Sequence, residues 1–361
     1  MLIKIQENKI KTSIILILKT LFLGMIGGVI FNIFLLPLPW VLGPAFIVAL
    51  MALFKVEVNI PSKFRNPFIG IIGVWLGTSF NQSLIENLDT WLISLFLLMI
   101  YVPIAYFLTF LFLIKVRKIN IPEAFFIASP GGLLEMVLGA ESCGADSKQV
   151  GIIHMIRIFL TVFIVPFLIL SLFPGSFVRE PFWPNLEIEI FDCLILLIIV
   201  PLGLKLGTLL QIPGPRLFGP LILSGIISVF EIYELNIPIL IFIIAQLIVG
   251  SFFGSNFNGL SWTIAKKYIG HAACIVMCLL VILIPFLFLT KLIGDISPEA
   301  IILAFSPGGV NEMGLVASVL DIEPAFVVTH HLLRLTVVII ILVFSQKYIY
   351  PEIKKLVKPK S

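Results

Sequence analysis

Apolar side chains run along this chain in blocks too continuous for an alternating strand and too long for one face of a surface helix. The blocks fall at about 13–36, 40–54, 67–81, 91–114, 150–173, 188–210, 217–230, 236–254, 270–293 and 325–349. A helix needs about 20 apolar residues to cross the hydrocarbon core. In lipid, only helices and closed barrels satisfy their own backbone groups. The pattern therefore predicts an all-α polytopic membrane protein with ten crossings. Two further stretches, 121–140 and 298–318, are shorter, and each is broken by Ser-Pro-Gly-Gly. These are expected to be discontinuous, re-entrant helices that dip into the bilayer and return.

Composition agrees with the pattern. Of 361 residues, 60% are hydrophobic and 12% charged, about half the charge of an ordinary soluble domain; the mean hydropathy is +1.15. A soluble enzyme, a disordered chain and a nucleic-acid-binding domain are excluded. The net charge of +4 matters through its location. Cytoplasmic loops collect Lys and Arg, so Lys4, Lys9 and Lys11 place the N-terminus inside. Lys55, Lys63 and Arg65, then Lys115, Arg117 and Lys118, fill the next internal loops. With 121–140 re-entrant, the acidic stretch Glu180, Glu187, Glu189 and Asp192, opposed by Arg179 alone, falls outside. Arg216, Lys266, Lys267 and the tail lysines fall inside; Lys291 is the main external exception. Counting both broken stretches as full crossings would instead put Lys266 and Lys267 outside. The first apolar stretch is too long for a signal-peptide core and is read as a retained span. Cys143, Cys193, Cys274 and Cys278 form no CxxC motif, which argues for neither a disulfide framework nor zinc.

The chain is an internal duplication. Residues 129–136 read Ser-Pro-Gly-Gly-Leu-Leu-Glu-Met, and residues 306–313 read Ser-Pro-Gly-Gly-Val-Asn-Glu-Met. The same spacing carries His154 onto His331, Arg157 onto Arg334, Gly73 onto Gly250, Gly77 onto Gly254 and Asn81 onto Asn258. One residue less carries Pro37, Pro39, Gly43 and Pro44 onto Pro213, Pro215, Gly219 and Pro220. The expected organisation is a first repeat at 13–173, a second at 188–349 and a basic tail at 350–361. Five crossings per half is odd, so the halves are expected to be inverted, as in many secondary transporters whose sites use interrupted helices.

The duplicated element carries the candidate chemistry. Ser is a favoured helix N-cap and Pro suits the first helical position, so helices are expected to start at Ser129 and Ser306. Gly131, Gly132, Gly308 and Gly309 would leave N–H groups uncovered at these starts, where anions bind. The competing reading is a tight turn for close helix packing. Glu135 and Glu312 lie in apolar surroundings, where an ionisable group is a functional candidate. Arg157 and Arg334 are either their structural partners or ligands for an anion. In the second case the glutamates, with His154 and His331, would handle a coupling cation, H+ or Na+. The histidines lack the spacing of a metal site, and no catalytic or cofactor-binding set is evident. Gly73 with Gly77, and Gly250 with Gly254, follow the small-xxx-small pattern of packed membrane helices; Asn81 and Asn258 follow them.

The doubled SPGGxxEM element with its His-x-x-Arg partner resembles the bacterial inner-membrane AbrB duplication family. The likeness rests on Ser129 to Met136 with His154 and Arg157, and on Ser306 to Met313 with His331 and Arg334. Asn311 stands where the first copy has Leu134. Members of that family carry the labels AbrB-type regulator or ammonia monooxygenase. The resemblance implies a multi-pass protein of the bacterial cytoplasmic membrane with both termini inside. The reading favoured here is a transporter-like permease for a small anionic solute, without direct nucleic-acid contact and with self-association open. A membrane-bound ligand sensor acting on gene expression is the alternative, and a monooxygenase a remote one.

Overall fold

A computed structural model describes residues 2–80, 88–174, 189–212, 214–293, 296–348 and 350. Asn81, the acidic residues Glu180 and Glu187 with Arg179, Asp295 and the tail lysines after residue 350 lie outside the described residues. Among the described residues the chain is helical throughout, without strands. The first half contributes α1 (Leu2–Ile33), α2 (Pro39–Leu53), α3 (Ser62–Thr78), α4 (Leu88–Lys115), α5 (Ile121–Ile127), α6 (Leu133–Cys143) and α7 (Ser147–Leu172). The second contributes α8 (Ile190–Leu209), α9 (Pro215–Val229), α10 (Ile239–Ser255), α11 (Trp262–Ile293), α12 (Pro298–Phe305), α13 (Val310–Val319) and α14 (Pro324–Tyr348).

Among the described residues, six helices are long and apolar enough to cross a bilayer: α1, α4, α7, α8, α11 and α14. Their outer faces carry large apolar side chains such as Phe22, Phe96, Leu197, Phe288 and Ile340, a surface that needs lipid rather than water. This is a multi-pass membrane protein. α2 and α9 have 15 residues each and α3 and α10 have 17, or about 22–26 Å of helix.

The duplication extends to the backbone. Leu35 and Gln211, Leu38 and Gly214, Lys55 and Glu231, and Gly144 and Asp321 are matched positions, and all eight have positive φ.

The compact units cut across the sequence halves. One unit is 1–84, 170–264 and 318–321, and so contains α1–α3 and α8–α10; the other is 85–169, 265–317 and 322–361. Within the first unit, each half's third helix packs on the other half's second. Gly73 faces the Leu217 carbonyl and Gly77 faces Ser224, so α3 and α9 lie parallel and close. Gly250 faces the Val41 carbonyl and Gly254 faces Val48, giving α10 and α2 the same relation. A β-carbon at any of these four positions would collide with its neighbour. Arg65 stands 3.9 Å over the Phe252 ring and Trp75 stacks on Phe242 at 4.0 Å, so α3 and α10 are antiparallel.

The second unit holds both broken elements. Each is a hairpin whose two ends meet. Beyond α6, the Asp146 N–H donates to Glu123 Oε1 of α5 at 3.3 Å. Before α12, the Ser297 hydroxyl donates to Glu323 Oε1 at 2.8 Å.

Candidate functional site

The Ser-Pro-Gly-Gly segment is the tip of each hairpin, and its local structure differs from the expected N-cap at serine. Ser306 is the C-cap of α12, and its hydroxyl donates to the Leu303 carbonyl at 2.9 Å. In the first copy, the helix after the motif, α6, starts at Leu133 with Gly132 as its cap, extended at φ −68, ψ 152, and in the second copy α13 starts at Val310. Ser and Pro therefore finish one helix, and the glycines open the next.

The motif's spacing follows from what lies against those glycines. A β-carbon on Gly131 would meet Met136, and one on Gly308 would meet Met313. A β-carbon on Gly132 would strike the Glu135 carboxylate, and one on Gly309 the Glu312 carboxylate. The first glycine thus makes room for the methionine five residues on. The second makes room for a glutamate curled back over its own helix start, where a negative charge is stabilised by the backbone dipoles.

Arg157 and Arg334 hold the hairpins open. Arg157 Nη1 donates to the Ser129 carbonyl at 2.6 Å and Nη2 to the Gly131 carbonyl at 3.1 Å. Arg334 repeats this with the Ser306 and Gly308 carbonyls. A broken helix leaves its last carbonyls unpaired, and a planar guanidinium is suited to take two at once. One turn earlier, His154 Nε2 bonds the Phe126 carbonyl and His331 Nε2 the Leu303 carbonyl, each at 3.0 Å. A carbonyl only accepts, so both Nε2 atoms carry the proton. The two Nδ1 atoms are then buried lone pairs with no hydrogen-bond partner among the described residues.

Arg157 is 1% exposed, Arg334 is 4% exposed, and both histidines are fully buried. The two guanidiniums lie within electrostatic reach of each other. Glu312 stands within reach of Arg334, and Gly131 packs against Val338, one turn beyond Arg334. The structure so brings Ser129, Gly131, Gly132, Glu135, His154 and Arg157 into one compact unit with Ser306, Gly308, Gly309, Glu312, His331 and Arg334. Both arginines donate to backbone carbonyls of the hairpin tips, and the Glu312 carboxylate lies close enough to act on the Arg334 charge. Among the described residues, no three His, Cys, Asp or Glu side chains gather as metal ligands.

Sequence reasoning missed two neighbours. His330 bonds Ser94 of α4 and the Phe326 carbonyl, both at 2.8 Å. Tyr101, fully buried on α4, donates to the Leu279 carbonyl at 3.3 Å and packs on Phe305. Ser94 and Tyr101 sit inside a long apolar run, and only the contacts reveal them.

A family profile described as "Transition state regulatory protein AbrB" matches residues 40–350. The chain belongs to the AbrB family. A relative in Bacillus subtilis (strain 168), "Uncharacterized protein YhjN", is 25% identical over 298 residues, covering 75% of each chain. The AbrB match spans both hairpins and both arginine helices, so the duplicated site lies inside the family region.

Proposed function

We propose that this protein is a secondary-transporter-like permease for a small anionic solute, with Arg157 and Arg334 at its centre and two inverted halves opening the site to each side in turn. The observation that carries the reading is the pair of buried guanidiniums, each set on the carbonyls of a hairpin tip. Buried charge is costly unless it is compensated, and two such cations beside two helix starts favour an anion.

The glutamates supply the coupling. Glu135 and Glu312 balance two arginines when ionised. Adding an anion to a low-dielectric site favours adding a cation with it, and a proton on either glutamate does that. Protonation also weakens the hold of the carboxylate on its helix start at Gly132 or Gly309, freeing the N–H groups for the solute. The buried Nδ1 atoms of His154 and His331 offer a second proton acceptor in each half.

Packing registers support inversion. α3 runs parallel to α9 and antiparallel to α10, and α10 runs parallel to α2. Corresponding helices of the two halves therefore point in opposite directions. The hairpin ends support ten crossings with two re-entrant segments, and the basic loops favour both termini in the cytoplasm of a bacterium.

The test starts with thermal unfolding of the purified protein across small anions and pH, followed by flux in sealed liposomes. The expected result is a stabilising anion whose uptake is driven by an inward proton gradient and lost in Arg157→Lys and Arg334→Lys. No stabilising anion, or one unaffected by these variants, overturns the site. The family's regulatory description favours one second reading, a membrane sensor acting on gene expression. Binding without flux in the same assay would select it.

A further inference from the structure

A separate pair of cationic side chains sits at one end of the second unit, away from the hairpin tips. Arg117, two residues beyond α4, donates its Nε proton to His271 Nδ1 on α11 at 3.1 Å. The donor is a permanent cation and the acceptor a ring nitrogen, so this bond neutralises no charge. Because Nδ1 accepts, the ring proton stays on Nε2 as a further donor. Lys267 lies one helical turn before His271 on the same face. The charges that act on His271 are both positive, from Arg117 and Lys267. The Arg117 guanidinium also lies against the helix backbone near Gly270. Arg117 and His271 are half-buried and Lys267 is exposed.

The depth of this group is fixed by the sequence around it. From Ala272 to Leu289 α11 is unbroken apolar, about 27 Å of helix, close to the hydrocarbon thickness of about 30 Å. His271 therefore stands at the first polar level, with Tyr268, an interfacial residue type, one turn further out. On α4 the apolar run ends at Ile114, so Arg117 meets the same level from the neighbouring helix. We propose that Arg117, His271 and Lys267 form a binding site for the phosphate of an anionic glycerophospholipid headgroup. A planar guanidinium matches phosphate oxygens in a bidentate fork, the ammonium adds a second charge, and the Nε2 proton adds a neutral donor. Headgroup phosphates lie at this depth in every bilayer, and juxtamembrane cations attract anionic lipid. This inference is independent of the transport reading.

The experiment measures thermal unfolding of the full chain in uncharged detergent, with phosphatidylglycerol, phosphatidylcholine or inorganic phosphate added at equal phosphate concentration. Phosphatidylglycerol is expected to raise the midpoint by about 2–3 °C, and phosphatidylcholine to leave it unchanged. The shift is expected to vanish in Arg117→Gln/Lys267→Gln, and to shrink in Arg117→Lys, which keeps the charge but loses the fork. Native mass spectrometry is expected to show one fewer retained phosphatidylglycerol on the double variant. An equal shift with inorganic phosphate would make this a soluble-anion site and overturn the lipid assignment. So would an equal response in the double variant, or no shift in the wild-type protein.

Discussion

The Glu312 carboxylate occupies the space that a β-carbon on Gly309 would need. Glu135 and Gly132 have the same relation in the other half. Each glutamate side chain is thus folded back onto the first turn of its own helix, into space that a glycine leaves open.

Gly309→Ala is therefore expected to dislodge Glu312 and to destabilise the fold by about 1–3 kcal/mol, as overpacking commonly does. If the carboxylate is what the methyl strikes, Glu312→Ala in the same chain restores most of the loss. A thermal-unfolding double-mutant cycle checks this, with a coupling energy of about 1–3 kcal/mol expected. Additive losses would show that the glycine serves some other neighbour.

Arg157→Ala leaves the Ser129 and Gly131 carbonyls without their donor inside the protein. An orphaned buried acceptor costs about 1–3 kcal/mol, so a marked drop in unfolding midpoint is expected. Arg157→Gln keeps a donor for one carbonyl and is expected to fall between the two. Arg334 variants should follow the same order, because the contacts are duplicated.

His154→Gln and His331→Gln separate the two nitrogens of each ring. A glutamine amide can still donate to the Phe126 or Leu303 carbonyl, while the buried Nδ1 lone pair is gone. The expected outcome is near-normal stability with an altered pH dependence of anion stabilisation. An unchanged pH profile in both variants would confine these histidines to holding the hairpins.

Membrane sidedness gives a geometric test. Arg117 and His271 are in contact, so the basic segments around Lys118 and Lys266 share one side. Single cysteines at these two positions, in a chain lacking the four native ones, are expected to be labelled from the same compartment. A cysteine at Glu180 is expected to be labelled from the opposite one. Labelling at 180 and 266 from one compartment would remove the inverted five-plus-five arrangement.

The hairpins were readable in the chain because their punctuation is local. The stretches expected at 121–140 and 298–318 match α5–α6 and α12–α13 closely, and the His-x-x-Arg partners repeat at one spacing. The helix start within the motif was misplaced for an equally local reason. Ser-Pro reads as the beginning of a helix by cap preference, yet here it follows a short helix whose last carbonyls are claimed by an arginine 28 residues later. That donor is invisible to a rule that looks a few residues each way. The exchange of α3 and α10 between the halves was also hidden, because small-xxx-small spacing announces a close neighbour without naming it. Arg117 and His271, separated by 154 residues, belong to the same class.

The exchange of partners in the first unit has a consequence for biosynthesis. The groove at Gly73 and Gly77 receives α9, which leaves the ribosome more than a hundred residues after α3. At about 5–20 residues per second, the newborn amino-terminal trio waits on the order of ten seconds for its mates. Until then its glycine faces lack the second-half helices that fill them in the folded chain.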